Sequence, residues 1–220
     1  MEHYGLIYRE TNLHGFPVDP WTTYSHILLL IVLIYWWKKV YGQFRKHAFL
    51  TFCLVLISLN FTGSFLYHSL RGPLIWILLD SLPIAILSVA VAVHFLVRIK
   101  NLFLTVLIIA FPLVSAFIVS LFSGLPAHDN PDIGYFAMGL IFVLSLMTYL
   151  GKSQWKNWQL IAGATGSVII AISFRVADTR WNFPFLPMGT HWLWHVFSTI
   201  SGYLLLRYVY LDDLLPKRAR

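Results

Sequence analysis

Long apolar runs separated by short polar breaks set the pattern of this chain. A helix needs about 20 apolar residues to cross a bilayer. Seven stretches approach that length, at 22–37, 48–70, 74–97, 102–122, 134–150, 158–174 and 190–210. Seven such spans account for roughly 140 residues and leave only short loops. The pattern predicts an all-α integral membrane protein of seven transmembrane helices. It reads as a single domain over 1–220, with a polar N-terminal segment at 1–21 and a basic tail at 211–220. No internal repeat or low-complexity tract interrupts it.

Composition agrees. Hydrophobic residues make up 58% of the 220 and charged residues 11%, against about 25% charged in an ordinary soluble domain. Too few charges remain to coat a soluble globule, and disordered or disulfide-rich secreted classes are excluded by the same figures. Cys53 is the one cysteine, so neither an intramolecular disulfide nor a CxxC motif is available. The net charge of +7 does not point to nucleic acid, because the basic residues are scattered between apolar runs and form no basic face. Nothing in the sequence implies an obligate protein partner.

The basic residues instead set orientation. With the N-terminus outside, the inner segments hold Lys38, Lys39, Arg45, Lys46, Arg98, Lys100, Lys152, Lys156, Arg207, Lys217, Arg218 and Arg220, twelve of the sixteen. Arg9, Arg71, Arg175 and Arg180 fall outside, and the outer 129–132 loop carries Asp129 and Asp132 with no basic residue. The positive-inside rule then predicts an extracytoplasmic N-terminus and a cytoplasmic C-terminus. Residues 1–21 lack the basic start, apolar core and cleavage site of a signal peptide, so the first helix is expected to act as a retained targeting signal.

Ionisable groups inside a membrane span are costly and usually functional. The second helix carries Ser64 and His68, the third Asp80 and, near its inner end, His94, and the seventh His191 and His195. Ser64/His68 and His191/His195 are both i,i+4 pairs, each on one helical face. His68 falls near the outer end of its helix. His191 begins the seventh helix from the same side, and Asp80 lies about 10 Å below the start of the third. Three helices thus bring three imidazoles, a hydroxyl and a carboxylate to similar depth, in the outer half.

Three imidazoles at one point are a zinc set with a fourth position open. Bound zinc lowers the pKa of water to about 7 and polarises a carbonyl. Asp80 is suited to take the water's proton and return it to a leaving amine, and Ser64 to donate to a developing oxyanion. Each residue also has a plainer role. An HxxxH pair arises by chance, Ser64 can bond the i−4 carbonyl, and Asp80 can pair with Arg71 or face a water-filled cavity. Asp178 can bridge to Arg175 or Arg180. His94 reads as a packing or snorkelling residue, Gly163/Ser167 as a helix-packing pair, and Pro83 and Pro112 as kinks.

SxxxH on the second helix, LLDxLP on the third and HxxWHxxxxxxGY on the seventh together resemble the alkaline ceramidase family. That family belongs to a superfamily of seven-helix membrane proteins that includes progestin and adiponectin receptors, haemolysin III-type proteins and Per1-type lipid-remodelling proteins. The resemblance spans the chain in helix number and order and concentrates at 19–26, 60–84 and 174–203. The stretch from Asp80 to Pro83 looks like the ceramidase DELP pattern, and the stretch from Asp19 to Ser25 like the family's EFWNTxSN. Asp178 resembles a family aspartate that precedes the HxxWH helix.

The resemblance implies a zinc-dependent amidase that hydrolyses ceramide to a sphingoid base and a fatty acid. It implies Zn2+ on His68, His191 and His195, with Asp80 and Ser64 catalytic. It also implies a Ca2+ site in the N-terminal segment. Glu10 and Asn12 match part of the family's DWxExN pattern, and Asp19 stands where a later glutamate would be. Ile7 and Tyr8 replace the leading Asp and Trp. The expected partner is a membrane lipid, ceramide or another N-acyl lipid, reached from the extracytoplasmic side.

The competing class is a receptor-like or structural zinc protein with the same core, or another lipid hydrolase of the superfamily acting on a different N-acyl lipid or ester. A transmembrane haem protein would leave Ser64 and Asp80 without a role. There is no HExxH of a membrane metalloprotease, and the histidines are too few for an eight-histidine di-iron desaturase.

Overall fold

The computed structural model describes residues 5–122 and 130–215, without the side chains of 130–132. Among these the chain forms seven α-helices and no strand: α1 Pro20–Val40, α2 Ala48–Leu70, α3 Leu74–Leu96, α4 Leu102–Phe122, α5 Asn130–Lys152, α6 Trp158–Arg180 and α7 His191–Asp213. A 3-10 turn, Val97–Ile99, follows α3. Each of the seven expected stretches is a helix. The acidic side chains at 129 and 132 and the basic residues at 217, 218 and 220 lie outside the described residues.

The largest difference in bounds is at α6, which outlasts its apolar run by six residues. The apolar pattern stops at Phe174, but Arg175 and Asp178 beyond it are themselves buried. The Arg175 guanidinium lies over the rings of Tyr135 and Trp194, at 4.6 and 5.4 Å. Partners inside the bundle let the helix continue where hydrophobicity alone would end it.

Five helices, α2 to α6, contain stretches long and apolar enough to cross a membrane, as a multi-pass membrane protein requires. α1 and α7 fall outside that set. α1 ends on Lys38 and Lys39, and α7 carries two histidines, Arg207, Asp212 and Asp213. α4 buries only Ile108 and Pro112 and exposes Phe103, Phe111, Phe117 and Phe122. Such an apolar exterior is stable against lipid, where helices also satisfy their own backbone groups.

The order of packing positions the site. α1, α2, α3, α5, α6 and α7 close into a ring, and α4 sits outside against α5 and α3. The half of the ring next to the basic loops is filled by Trp36, Leu50, Leu54, Phe95, Tyr149, Leu205 and Tyr208. Charged groups seal that end. Arg98 pairs with Asp212, the Tyr149 hydroxyl donates to Asp212 Oδ1 at 2.9 Å, and His47 Nδ1 meets Asp213 Oδ2 at 3.2 Å. His94 belongs to this packing, its ring stacked on Phe49 at 3.6 Å and its Nε2 2.6 Å from Arg98. Gly163 of α6 takes Leu204 of α7 at close range, 3.0 Å from where a Cβ would stand. Pro83 and Pro112 sit inside continuous helices.

The opposite half is less apolar, and α2 and α3 meet there most tightly. A Cβ on Gly63 would stand 2.6 Å from the Asp80 backbone nitrogen and overlap Leu79. Both obstructions involve backbone, so α3 would have to move to admit a methyl group. Gly63→Ala is therefore expected to destabilise the fold by about 1–3 kcal/mol, as overpacking does. Thermal unfolding in detergent checks this.

Candidate metal centre

His68 sits in the last turn of α2, and His191 opens α7 with His195 one turn on. The ring of helices sets the end of α2 beside the start of α7. One ligand nitrogen from each of the three histidines lies within 4.8 Å of the others. The ring centroids are 5.0 to 5.3 Å apart. His195 Nε2 and His191 Nε2 are 3.3 Å apart. In a tetrahedral site with Zn–N bonds of 2.0–2.1 Å, two ligand nitrogens stand about 3.3–3.4 Å apart. The His191–His195 pair therefore stands at the spacing of two zinc ligands, and the three nitrogens together could hold a metal ion.

Residues around two of the rings, His68 and His191, fix their orientation. His68 Nδ1 faces Asp19 Oδ2 at 2.8 Å. The carboxylate only accepts, so Nδ1 carries the proton and Nε2 keeps its lone pair. A carboxylate behind a ligand histidine is the usual orienting arrangement at zinc sites. Asp19 is itself held by Arg71 Nε at 2.9 Å and by the Thr11 hydroxyl at 2.6 Å, and is fully buried. Burial works to raise its pKa, but the hydrogen bond from His68, the Arg71 charge and the Thr11 hydroxyl hold it below the ordinary aspartate value.

Arg71, in the left-handed region at φ 46, is fixed there by its buried guanidinium. Besides Asp19, that group donates to the Tyr67 hydroxyl, to Thr11 Oγ1 and to the Leu6 carbonyl. Arg71 thus serves Asp19, and Asp80 is held by Asn60 instead.

His191 is positioned from two sides. Asp178 Oδ1 accepts the backbone N–H groups of Thr190 at 2.5 Å and His191 at 3.0 Å, so a carboxylate of α6 caps the start of α7. Gly189 makes this possible. Its φ is 75, and a Cβ would collide with Asp178 Oδ1 and lie 2.9 Å from Arg9 Cβ. On the other side the Tyr8 ring stacks on the His191 ring at 3.6 Å. The N-terminal segment thereby covers this end of the bundle, joined to it by the Val18 N–H to the Ser69 carbonyl and the Asp19 N–H to the His68 carbonyl.

Asp80 is gripped from α2. Asn60 Nδ2 donates to the Asp80 backbone carbonyl at 2.5 Å and to its Oδ1 at 3.0 Å. Ser64 is buried, with its Oγ near Asp80 but in no completed hydrogen bond. Asn60, Ser64 and His68 fall at i, i+4 and i+8, one polar stripe along a mostly apolar helix. Asn60 was missed at the sequence level, although extending the Ser64/His68 spacing by one turn reaches it.

The three residues expected to hold calcium have other partners. Glu10 accepts the backbone N–H groups of Trp21 and Thr22 and the Thr22 hydroxyl, and so caps α1. Burial pushes its carboxyl above the usual range, against the lowering effect of those bonds. Asn12 Oδ1 accepts the His14 N–H at 3.1 Å, and Asp19 serves His68.

Inside the ring of helices lies a cavity of about 190 Å³. Asp80, Asn60, His195, His26 and Trp194 line it at the metal-centre end, and Leu87, Val91, Phe142, Leu205 and Leu206 line it further down. It is a polar head joined to an apolar shaft. His26 was also missed at the sequence level, since one histidine near the start of an apolar helix has no partner at helical spacing. Asp19 was noticed, but its service to His68 depends on a contact 49 residues away. Compared with known proteins, the sequence matches no family model and no curated protein.

Proposed function

We propose that this chain is a zinc-dependent intramembrane amidase, similar to the alkaline ceramidases, that hydrolyses ceramide to a sphingoid base and a fatty acid. All seven helices cross the membrane in this reading. The N-terminus is outside, the C-terminus is cytoplasmic, and the site faces the extracytoplasmic side, as the distribution of Lys and Arg favours. One observation carries the proposal: three imidazole nitrogens converge within 4.8 Å at the head of a cavity whose wall includes Asp80 and whose depth is apolar.

Each group has a task that its surroundings support. His68, His191 and His195 would hold the metal, with Asp19 orienting the first and Asp178 and Tyr8 the second. When bound, zinc acidifies water and polarises a carbonyl. Asp80, kept in place by Asn60, takes the proton from the attacking water and delivers it to the departing amine. The uncommitted Ser64 hydroxyl donates to the carbonyl oxygen as negative charge develops there. The shaft takes an alkyl chain, and the cover formed by the N-terminal segment directs lipid to approach from the membrane.

Metal dependence tests the proposal. Purified protein should release fatty acid from ceramide, lose at least 90% of that activity (an order-of-magnitude expectation) when stripped with a chelator, and recover it with Zn2+. Ceramide hydrolysis that survives complete removal of metal would sink it.

A further inference from the structure

His26 stands beside the metal centre without belonging to it. It is 1% exposed on α1. Its ring centroid lies 4.6 Å from that of His195 and 5.9 Å from that of His68, yet its nitrogens are not in the group that converges within 4.8 Å. Its Nδ1 is 2.7 Å from the Thr22 carbonyl oxygen. A carbonyl only accepts, so Nδ1 bears the proton, and in the neutral ring Nε2 presents a lone pair. That Nε2 is buried and has no hydrogen-bond partner. The ring lines the polar head of the cavity together with Asp80, Asn60 and His195.

A buried acceptor without a donor is costly. It gains most from a ligand that supplies an O–H or N–H at that point. The acceptor stands at the cavity head, where the polar end of a lipid would lie if its alkyl chain fills the shaft below. Resting on the amidase reading, we propose that His26 Nε2 is a specificity-determining acceptor, bonding a hydrogen-bond donor carried by the lipid next to its scissile carbonyl. The donor is a hydroxyl or the amide N–H itself. The site then selects hydroxylated or N–H-bearing amide lipids over lipids of equal tail length that lack such a donor. His26 is not a fourth metal ligand.

The test measures equilibrium binding, so it does not depend on turnover. Zinc-loaded Asp80→Asn protein is titrated with ceramide, with its analogue lacking the 3-hydroxyl and with its N-methyl analogue, and the same is done for Asp80→Asn carrying His26→Leu or His26→Gln. The protein with His26 intact should bind one of the two analogues about tenfold or more weaker than ceramide, and which one identifies the donor. His26→Leu should erase that discrimination. His26→Gln, whose amide oxygen can accept, should keep part of it, and this variant carries the test if His26→Leu does not fold. Zinc content should stay at that of the parent in both. Equal binding of all three lipids with His26 intact would overturn the proposal, as would unchanged discrimination in His26→Leu or loss of zinc from the His26 variants. Failure of the wild type to hydrolyse any of these lipids would instead count against the amidase reading, and the binding ratios would still decide the role of His26.

Discussion

His68→Ala, His191→Ala and His195→Ala should each leave the protein with almost no zinc and lower fatty-acid release at least about a thousandfold. The metal is asked for several kcal/mol of transition-state stabilisation, and every 1.36 kcal/mol is tenfold in rate. The three effects should be alike, because the three nitrogens form one donor set and two ligands do not make a zinc site. His94→Ala is the control. That ring packs on Phe49 and Arg98 at the far end of the bundle, so the variant should keep its zinc. Metal analysis of the purified variants, beside their activity, checks the whole set. Full zinc in any of the three ligand variants would remove that residue from the centre.

Asp19 should produce the second large effect, of a different kind. Asp19→Ala leaves the Arg71 guanidinium buried without its carboxylate and frees the back of His68. Breaking a buried pair from one side costs about 3–5 kcal/mol, a loss readable in thermal unfolding in detergent. Asp19→Asn retains the shape and should chiefly weaken zinc binding, by about 10–100-fold, as the loss of an orienting partner does. Removing both partners, Asp19→Ala with Arg71→Met, should recover part of the stability and none of the zinc affinity. Recovery of both together would mean that Asp19 stabilises the fold and does not tune the metal centre.

Much of this architecture was legible in the sequence because a membrane helix announces itself by apolar length, and a polar residue within it stands out. The i,i+4 spacing of Ser64/His68 and of His191/His195, with a matching depth for each, was enough to bring three histidines together. What escaped depends on contacts between distant segments. Arg71 was a candidate partner for Asp80, yet it turns towards Asp19, because the left-handed backbone at the end of α2 and the N-terminal segment above it form the pocket for its guanidinium. Asp178 was read as resembling a family aspartate or as a salt bridge to Arg175 or Arg180. Its carboxylate caps α7, a role that needs α6 to run past its apolar stretch and Gly189 to leave room. Asn60 could be reached by extending the Ser64/His68 stripe one turn, whereas His26 is a single polar residue whose meaning appears only once α7 is beside it.

The most direct measurement is fatty-acid release by the purified wild-type protein beside Asp80→Asn, with both preparations assayed for zinc. The substrates are a panel of ceramides together with other N-acyl lipids and esters. Asp80 proposed as the proton carrier predicts release from ceramides by the wild type. It also predicts a drop of at least about a hundredfold in Asp80→Asn, at the low end of what a positioned acid–base contributes, with equal zinc in the two proteins. Zinc-replete wild type that releases fatty acid from none of the ceramides would contradict the account, and equal release by Asp80→Asn would contradict its mechanism.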